Sequence, residues 1–172
     1  MIVVLMGVAG SGKTTVGTLL ATRLGWRFIE ADNFHSPEEI QHMAAGRPLS
    51  DDERQPWLER LHRVLADCVA RKENAVLACS ALKESYRRQL TVDAEGVRFV
   101  YLRADPAVIR QRVRSRSGHF FKENLLDSQY TTLEEPSDAL TIDAGDEPER
   151  LVQRISDALR LDLIPRPGSN SK

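Results

Sequence analysis

Ile2-Val-Val-Leu-Met6 is an unbroken apolar run that stops at Gly7, the pattern of a strand buried on both faces. The period then changes: Val16, Leu19, Leu20 and Leu24 recur at helical spacing over residues 13–24, and Gly25 supplies a stop. Arg27–Ala31 reads as a second strand ending at Asp32, and Pro37–Ala45 as a short helix. Ser50-x-x-Glu53 has the form of a capping box, but Pro56 fits poorly inside a helix. The spacing therefore predicts a turn over 51–55 and a main helix starting at Pro56, with Leu58, Leu61, Leu65 and Cys68 on its buried face.

Ala75–Cys79 is a third apolar strand, followed by a helix capped by Ser80 and carrying Leu82, Tyr86 and Leu90. Val97–Leu102 is a fourth strand, and Asp105-Pro106 opens a helix with Val108, Ile109 and Val113. Leu140–Asp143 is a short fifth strand; Pro148 starts a last helix that turns Leu151, Ile155 and Leu159 inward. Strands alternating with helices predict an α/β fold, a parallel sheet with helices on both faces.

The length of 172 residues suits one domain, and 41% apolar with 28% charged residues excludes a disordered chain. Lys plus Arg number 24 against 25 Asp plus Glu, which excludes a generally basic nucleic-acid coat. Cys68 and Cys79 have no ligand spacing, so neither a disulfide framework nor a zinc site is expected and a reducing cytoplasm is. The apolar N-terminal run is too short to span a bilayer and no other approaches 18 residues, so no membrane partner is expected. Ile164–Lys172 is polar and rich in Pro and Gly, which divides the chain into a domain at 1–163 and a flexible tail at 164–172.

Gly7-Val8-Ala9-Gly10-Ser11-Gly12-Lys13-Thr14 matches G-x-x-x-x-G-K-[ST] in full, between a predicted strand and a predicted helix. Its glycines let successive backbone N–H groups turn inward on phosphate oxygens, at a helix N-terminus that favours negative charge. Lys13 supplies a cation for the β- and γ-phosphates of ATP, the Thr14 hydroxyl a ligand for Mg²⁺, and Thr15 completes the nucleotide-binding stretch. No guanine-reading N-K-x-D is present, and Ala75–Cys79 ends in Ser80 where motor-type ATPases carry a magnesium-holding Asp. Two classes stay open: a small kinase of the nucleoside-monophosphate-kinase type, and a nucleotide-binding module without transfer chemistry.

Asp32, just after the second strand, should reach the crevice at the carboxyl edge of the sheet, where open parallel sheets bind ligands. A carboxylate there can orient an acceptor hydroxyl and take its proton; an ordinary loop cap is the alternative. His35 lies three residues on, and Arg54 follows the Gly46-Arg-Pro-Leu49 turn. Lys83 and Arg87 are four apart, either cations for an anionic acceptor or a solvated helix face. Arg112 and Arg116 run into Ser117-Gly118-His119-Phe120-Phe121, where a Gly hinge before aromatics suits a mobile lid; a basic surface stripe is the other reading.

Taken together these residues are specific. Met6-Gly-Val-Ala-Gly-Ser-Gly-Lys13, Ala31-Asp-Asn-Phe-His35, Met43-Ala-Ala-Gly-Arg-Pro-Leu49, Gln55-Pro-Trp-Leu58, Cys79-Ser-Ala-Leu-Lys83, Gly118-His-Phe-Phe-Lys122 and Leu133-Glu-Glu-Pro136 occur in this order. The sequence resembles the gluconate kinases of the shikimate-kinase-like group. The resemblance implies a single-domain P-loop kinase fold with strand order 2-3-1-4-5 and a helical lid. It also implies ATP- and Mg²⁺-dependent phosphorylation of D-gluconate at its 6-hydroxyl, and a homodimer. Through it Asp32 becomes the acceptor-orienting residue. His35, Arg54, Lys83, Arg87, His119 and Gln129 become substrate-side residues, Arg112 and Arg116 phosphate-contacting lid residues, and Ala144–Pro148 the adenine seat. Two positions depart from the family pattern: Glu39 and His42 stand where Asn and Lys are usual. That alters the charge expected of the acceptor pocket and leaves another small anion as an alternative acceptor.

Overall fold

The computed structural model describes residues 1–114 and 123–164. Five parallel strands, β1 (Ile2–Met6), β2 (Arg27–Glu30), β3 (Ala75–Ala78), β4 (Val97–Arg103) and β5 (Leu140–Asp143), form one sheet in the order β2-β3-β1-β4-β5. The order expected from the resemblance is the order observed. Central β1 is buried along its whole length, and the alternation of its side chains divides the core in two. Ile2, Val4 and Met6 join Leu77, Trp57, Leu61 and Leu65 on one face; Val3 and Leu5 join Val16, Leu20, Val152 and Ile155 on the other.

The helices that cover those faces are α1 (Lys13–Leu24), α2 (Pro37–Ala44), α3 (Asp51–Ala70), α4 (Glu84–Leu90), α5 (Pro106–Arg114), α6 (Glu123–Thr132) and α7 (Pro148–Leu159). Helix α1 keeps its predicted bounds, and Gly25, at φ 67°, donates its N–H to the carbonyls of Ala21 and Thr22. A smaller cluster of Val8, Leu82, Ile109 and Leu126 fastens α5 and α6 beneath the carboxyl edge of the sheet.

Four expectations need correction. Helix α3 begins at Asp51, not Pro56: the Ser50–Glu53 capping box forms in both directions and Pro56 lies within the helix. Asp52, whose carbonyl would otherwise receive the missing proline N–H, is an exposed residue, and Asp51 is pinned by Lys83 and Tyr86. Strand β2 stops at Glu30, and Ala31–Phe34 forms a 3₁₀ turn that carries Asp32. Ser80 does not cap a helix. Residues 80–83 are a loop with Ala81 at φ 45°, and α4 starts at Glu84. Val108 of α5 is exposed, leaving Ile109 as the buried anchor. The tail from residue 165, the predicted hinge Gly118, and the site candidates Arg116 and His119 lie outside the described residues. Ile164, assigned to the tail, is tied in by two bonds: its N–H donates to Arg23 O and its carbonyl accepts from Arg23 Nε.

Candidate active site

The turn between β1 and α1 is built on positive φ at Gly7 (138°), Gly10 (83°) and Gly12 (96°), a path closed to ordinary L residues. At Gly7 a Cβ would also lie 2.8 Å from Leu102 O. Gly7→Ala should therefore destabilise the fold by roughly 2–4 kcal/mol, read as a lower urea midpoint with unchanged slope. Inside the turn Ser11 is buried and its hydroxyl has no partner among the described residues. Lys13 Nζ donates to Val8 O at 2.9 Å. The Ala9 N–H donates to Gln129 Oε1 at 2.6 Å, an oxygen standing where a phosphate oxygen would suit the loop. An unpartnered buried donor, a helix N-terminus and a lysine at one loop fit a triphosphate.

A cleft of about 1140 Å³, counted out to its open mouth, runs from this loop along the carboxyl edge of the sheet. Of the predicted residues it gathers Ala9, Gly10, Gly12, Lys13, Thr14, Asp32, His35, Arg54 and Gln129. Sequence reasoning missed Glu30, which ends β2 and lines the same cleft. Burial pushes the Glu30 carboxyl above its ordinary value and Asp32 adds to this, against a hydrogen bond from the Thr14 side chain and the Lys13 charge. Its two-residue spacing from Asp32 at a strand end was the available signal. The oxygens of Thr14 and Glu30 suit a hard cation such as Mg²⁺, which takes few protein ligands and leans on substrate phosphates.

Trp57 is 2% exposed and stacks on His35, with ring centroids 4.6 Å apart and planes 6° apart. Its Nε1 donates to Ala31 O and so fixes the turn bearing Asp32. Arg54 donates Nε to Leu49 O at 3.2 Å. Thr15 is exposed on the first turn of α1.

Three predicted cations, Lys83, Arg87 and Arg112, are not among the residues that line the cleft. Lys83 Nζ is 2.6 Å from Asp51 Oδ2, which offsets its charge and ties the loop before α4 to the start of α3. Arg87 is buried, and its Nη1 donates to the carbonyls of Ala81, Leu82 and Glu134. It fixes the loop behind Ser80 and Leu82, both of which line the cleft. Arg112 donates to Ala144 O at 3.3 Å from both terminal nitrogens, which links α5 to the loop expected to seat adenine.

The departure at Glu39 does not place a bare anion in the pocket. Glu39 accepts from Ser36 N–H, from His35 Nδ1 at 2.9 Å, and from Arg60 Nη2 through both oxygens. Burial alone would raise its pKa, but Arg60, the Ser36 N–H and His35 together hold it below 4.5. His42 faces elsewhere, exposed and bonded to Arg47.

These shifts set a pH window. The Glu39 contribution is complete above 4.5 and is lost as pH falls through its lower folded value. His35, pushed below 6.5 chiefly by burial, acts in the same sense at higher pH, because the unfolded chain takes up its proton first. His35 should make stability begin to fall as pH drops below 6.5. Glu30, raised by burial, acts in the opposite sense as pH approaches 4.5, and Glu39 adds a second decline below 4.5. Asp51, held low by Lys83 and Tyr86, and Glu53, held low by the Ser50 N–H and Arg47, act in the same range. Urea titrations should therefore show Glu39→Gln weakening the second decline without removing it; an unchanged decline would assign it wholly to the other carboxylates.

A P-loop on one wall of a cleft, with a carboxylate and a cation opposite, on a 2-3-1-4-5 sheet, defines a small-molecule phosphotransferase. The sequence profile of the shikimate kinase family matches residues 9–160. A gluconokinase of Gluconobacter oxydans is 48% identical over 135 residues, 78% of this chain and 76% of that one. Among solved structures, a sugar kinase from a Janibacter species aligns with TM-score 0.86 at 40% identity, over 93% of this chain and 94% of that one. A Sinorhizobium meliloti gluconokinase aligns with TM-score 0.79 at 38% identity, over 92% and 94%. The chain belongs to the shikimate kinase family, in its gluconokinase group.

Proposed function

We propose that this protein transfers the γ-phosphoryl group of ATP to the 6-hydroxyl of D-gluconate, giving 6-phospho-D-gluconate and ADP. One observation carries the reading: Lys13 and Thr14 line the same cleft as Asp32, His35 and Arg54. The gluconokinase relatives supply the acceptor. An aldonate has a carboxylate at one end and a primary hydroxyl at the other. Arg54 suits the carboxylate, a bidentate partner for a planar guanidinium, while His35, Ser80, Ser128, Gln129 and Thr132 offer hydrogen bonds to a polyol.

Asp32 orients the 6-hydroxyl and accepts its proton as the new O–P bond forms and the bond to ADP breaks. Lys13 bears on the negative charge that spreads over the transferring group. The Thr14 hydroxyl, with Glu30 beside it, would hold Mg²⁺, which when bound would supply charge neutralisation at the phosphates. No helix among the described residues is long and apolar enough to cross a membrane.

The test is a coupled ADP-release assay over D-gluconate, other aldonates, shikimate and nucleoside monophosphates. Gluconate should give the highest kcat/KM. Preference for another acceptor would reassign the pocket, and ADP release indifferent to acceptor would reject transfer altogether.

A further inference from the structure

Glu39, Arg60 and Trp57 converge on His35 from two helices. His35 follows the turn that carries Asp32 and lines the cleft, yet its side chain is only 5% exposed. Trp57 covers one ring face. Nδ1 is taken by Glu39 Oε2 at 2.9 Å. That carboxylate oxygen also receives Ser36 N–H at 2.9 Å and Arg60 Nη2 at 2.8 Å, and Arg60 Nε donates to Phe34 O at 2.7 Å. What His35 has left for the cleft is the edge bearing Nε2, which has no protein partner among the described residues.

A carboxylate paired with arginine only accepts hydrogen bonds, so the proton between it and the ring belongs to Nδ1. In a neutral imidazole the other nitrogen then carries a lone pair. We propose that Glu39, clamped by Arg60, is a positioning residue that holds His35 as the Nδ1–H tautomer. Nε2 thereby becomes an acceptor for a hydroxyl of the substrate. This rests on the reading of the cleft as the gluconate site. It gives the departure at Glu39 a role: the charge is spent on the ring's orientation and proton, and the pocket receives a neutral acceptor. The charged and titratable groups around the ring are Asp32 on the 3₁₀ turn, Glu39 on α2, and Arg54 on α3, with Arg60 of α3 reaching it through Glu39.

The experiment has a spectroscopic and a kinetic arm. The ¹⁵N shifts of His35, assigned by its loss in His35→Asn, should show the Nδ1–H tautomer in the wild-type protein at neutral pH. Glu39→Met should lose that preference and raise KM for gluconate about tenfold, the size of one hydrogen bond. Its kcat and KM for ATP should change less than about threefold on the same scale. His35→Asn keeps a donor toward Glu39 but has no Nε2, and should raise KM similarly. The double variant should be no worse than either single one, because both remove the same bond.

An Nε2–H tautomer in the wild type, a lost tautomer preference with unchanged KM, or additive effects in the double variant would overturn the proposal. If Glu39→Met does not fold, the wild-type tautomer and His35→Asn still decide it. Wild-type protein that turns over a different aldonate would overturn the gluconate reading, and the same KM comparison on that acceptor would then decide the role of Glu39.

Discussion

Lys13→Ala is expected to lower kcat by about 10²–10³-fold while leaving the fold intact, through loss of charge stabilisation at the transferring phosphoryl group. The fold should survive because Lys13 opens α1 without entering either core cluster, and its Nζ donates to Val8 O within its own loop. The substitution removes a cation that matters more as charge moves toward the oxygen between the β- and γ-phosphates. KM for ATP should therefore rise much less than kcat falls. Circular dichroism and urea midpoints close to wild type must accompany the kinetic loss. A well-folded Lys13→Ala protein with wild-type kcat would mean that the phosphate loop takes no part in transfer.

Asp32→Asn is expected to cost about 10²-fold or more in kcat with little change in the dissociation constant for ATP. An amide can still hydrogen-bond the 6-hydroxyl but cannot take its proton. The position of Asp32 is fixed by its surroundings: Trp57 holds Ala31 O on one side, and the backbone N–H of His35 donates to Asp32 O on the other. The exchange should leave that turn in place. Equilibrium binding of ATP beside steady-state kinetics separates the outcomes. Parallel loss of both would make Asp32 a structural or magnesium-side residue, and Glu30 would become the candidate base.

What the sequence revealed of this site was what depends on near neighbours. The apolar run of β1, the glycines at 7, 10 and 12, and the spacing of α1 are local patterns, and each appears where expected. Errors arose where a distant partner overrode a local preference. Pro56 argued against a helix over 51–55, but a two-way cap and the grip of Lys83 and Tyr86 on Asp51 outweighed one missing hydrogen bond. Lys83 and Arg87 share an i,i+4 spacing, yet one is neutralised from α3 and the other is buried on three carbonyls. Nothing near Glu39 showed that Arg60, 21 residues away, would meet it. Helix α6 was missed because Leu126 and Tyr130, which pack into the cluster under the sheet edge, are separated by Asp127, Ser128 and Gln129 and followed by two threonines. Its Gln129 entered through the resemblance, and its bond to Ala9 lies 120 residues away in the chain.

The central claim is transfer to one hydroxyl of one acceptor, and it is tested most directly on the product. Incubation of the purified protein with Mg²⁺, ATP and uniformly ¹³C-labelled D-gluconate, followed by ¹³C and ³¹P spectra, reports which carbon becomes bonded through oxygen to phosphorus. The account predicts phosphorus coupling at C6 and its neighbour C5, with ADP formed in equal amount. Coupling at another carbon, or ADP and inorganic phosphate with gluconate left unchanged, would contradict it.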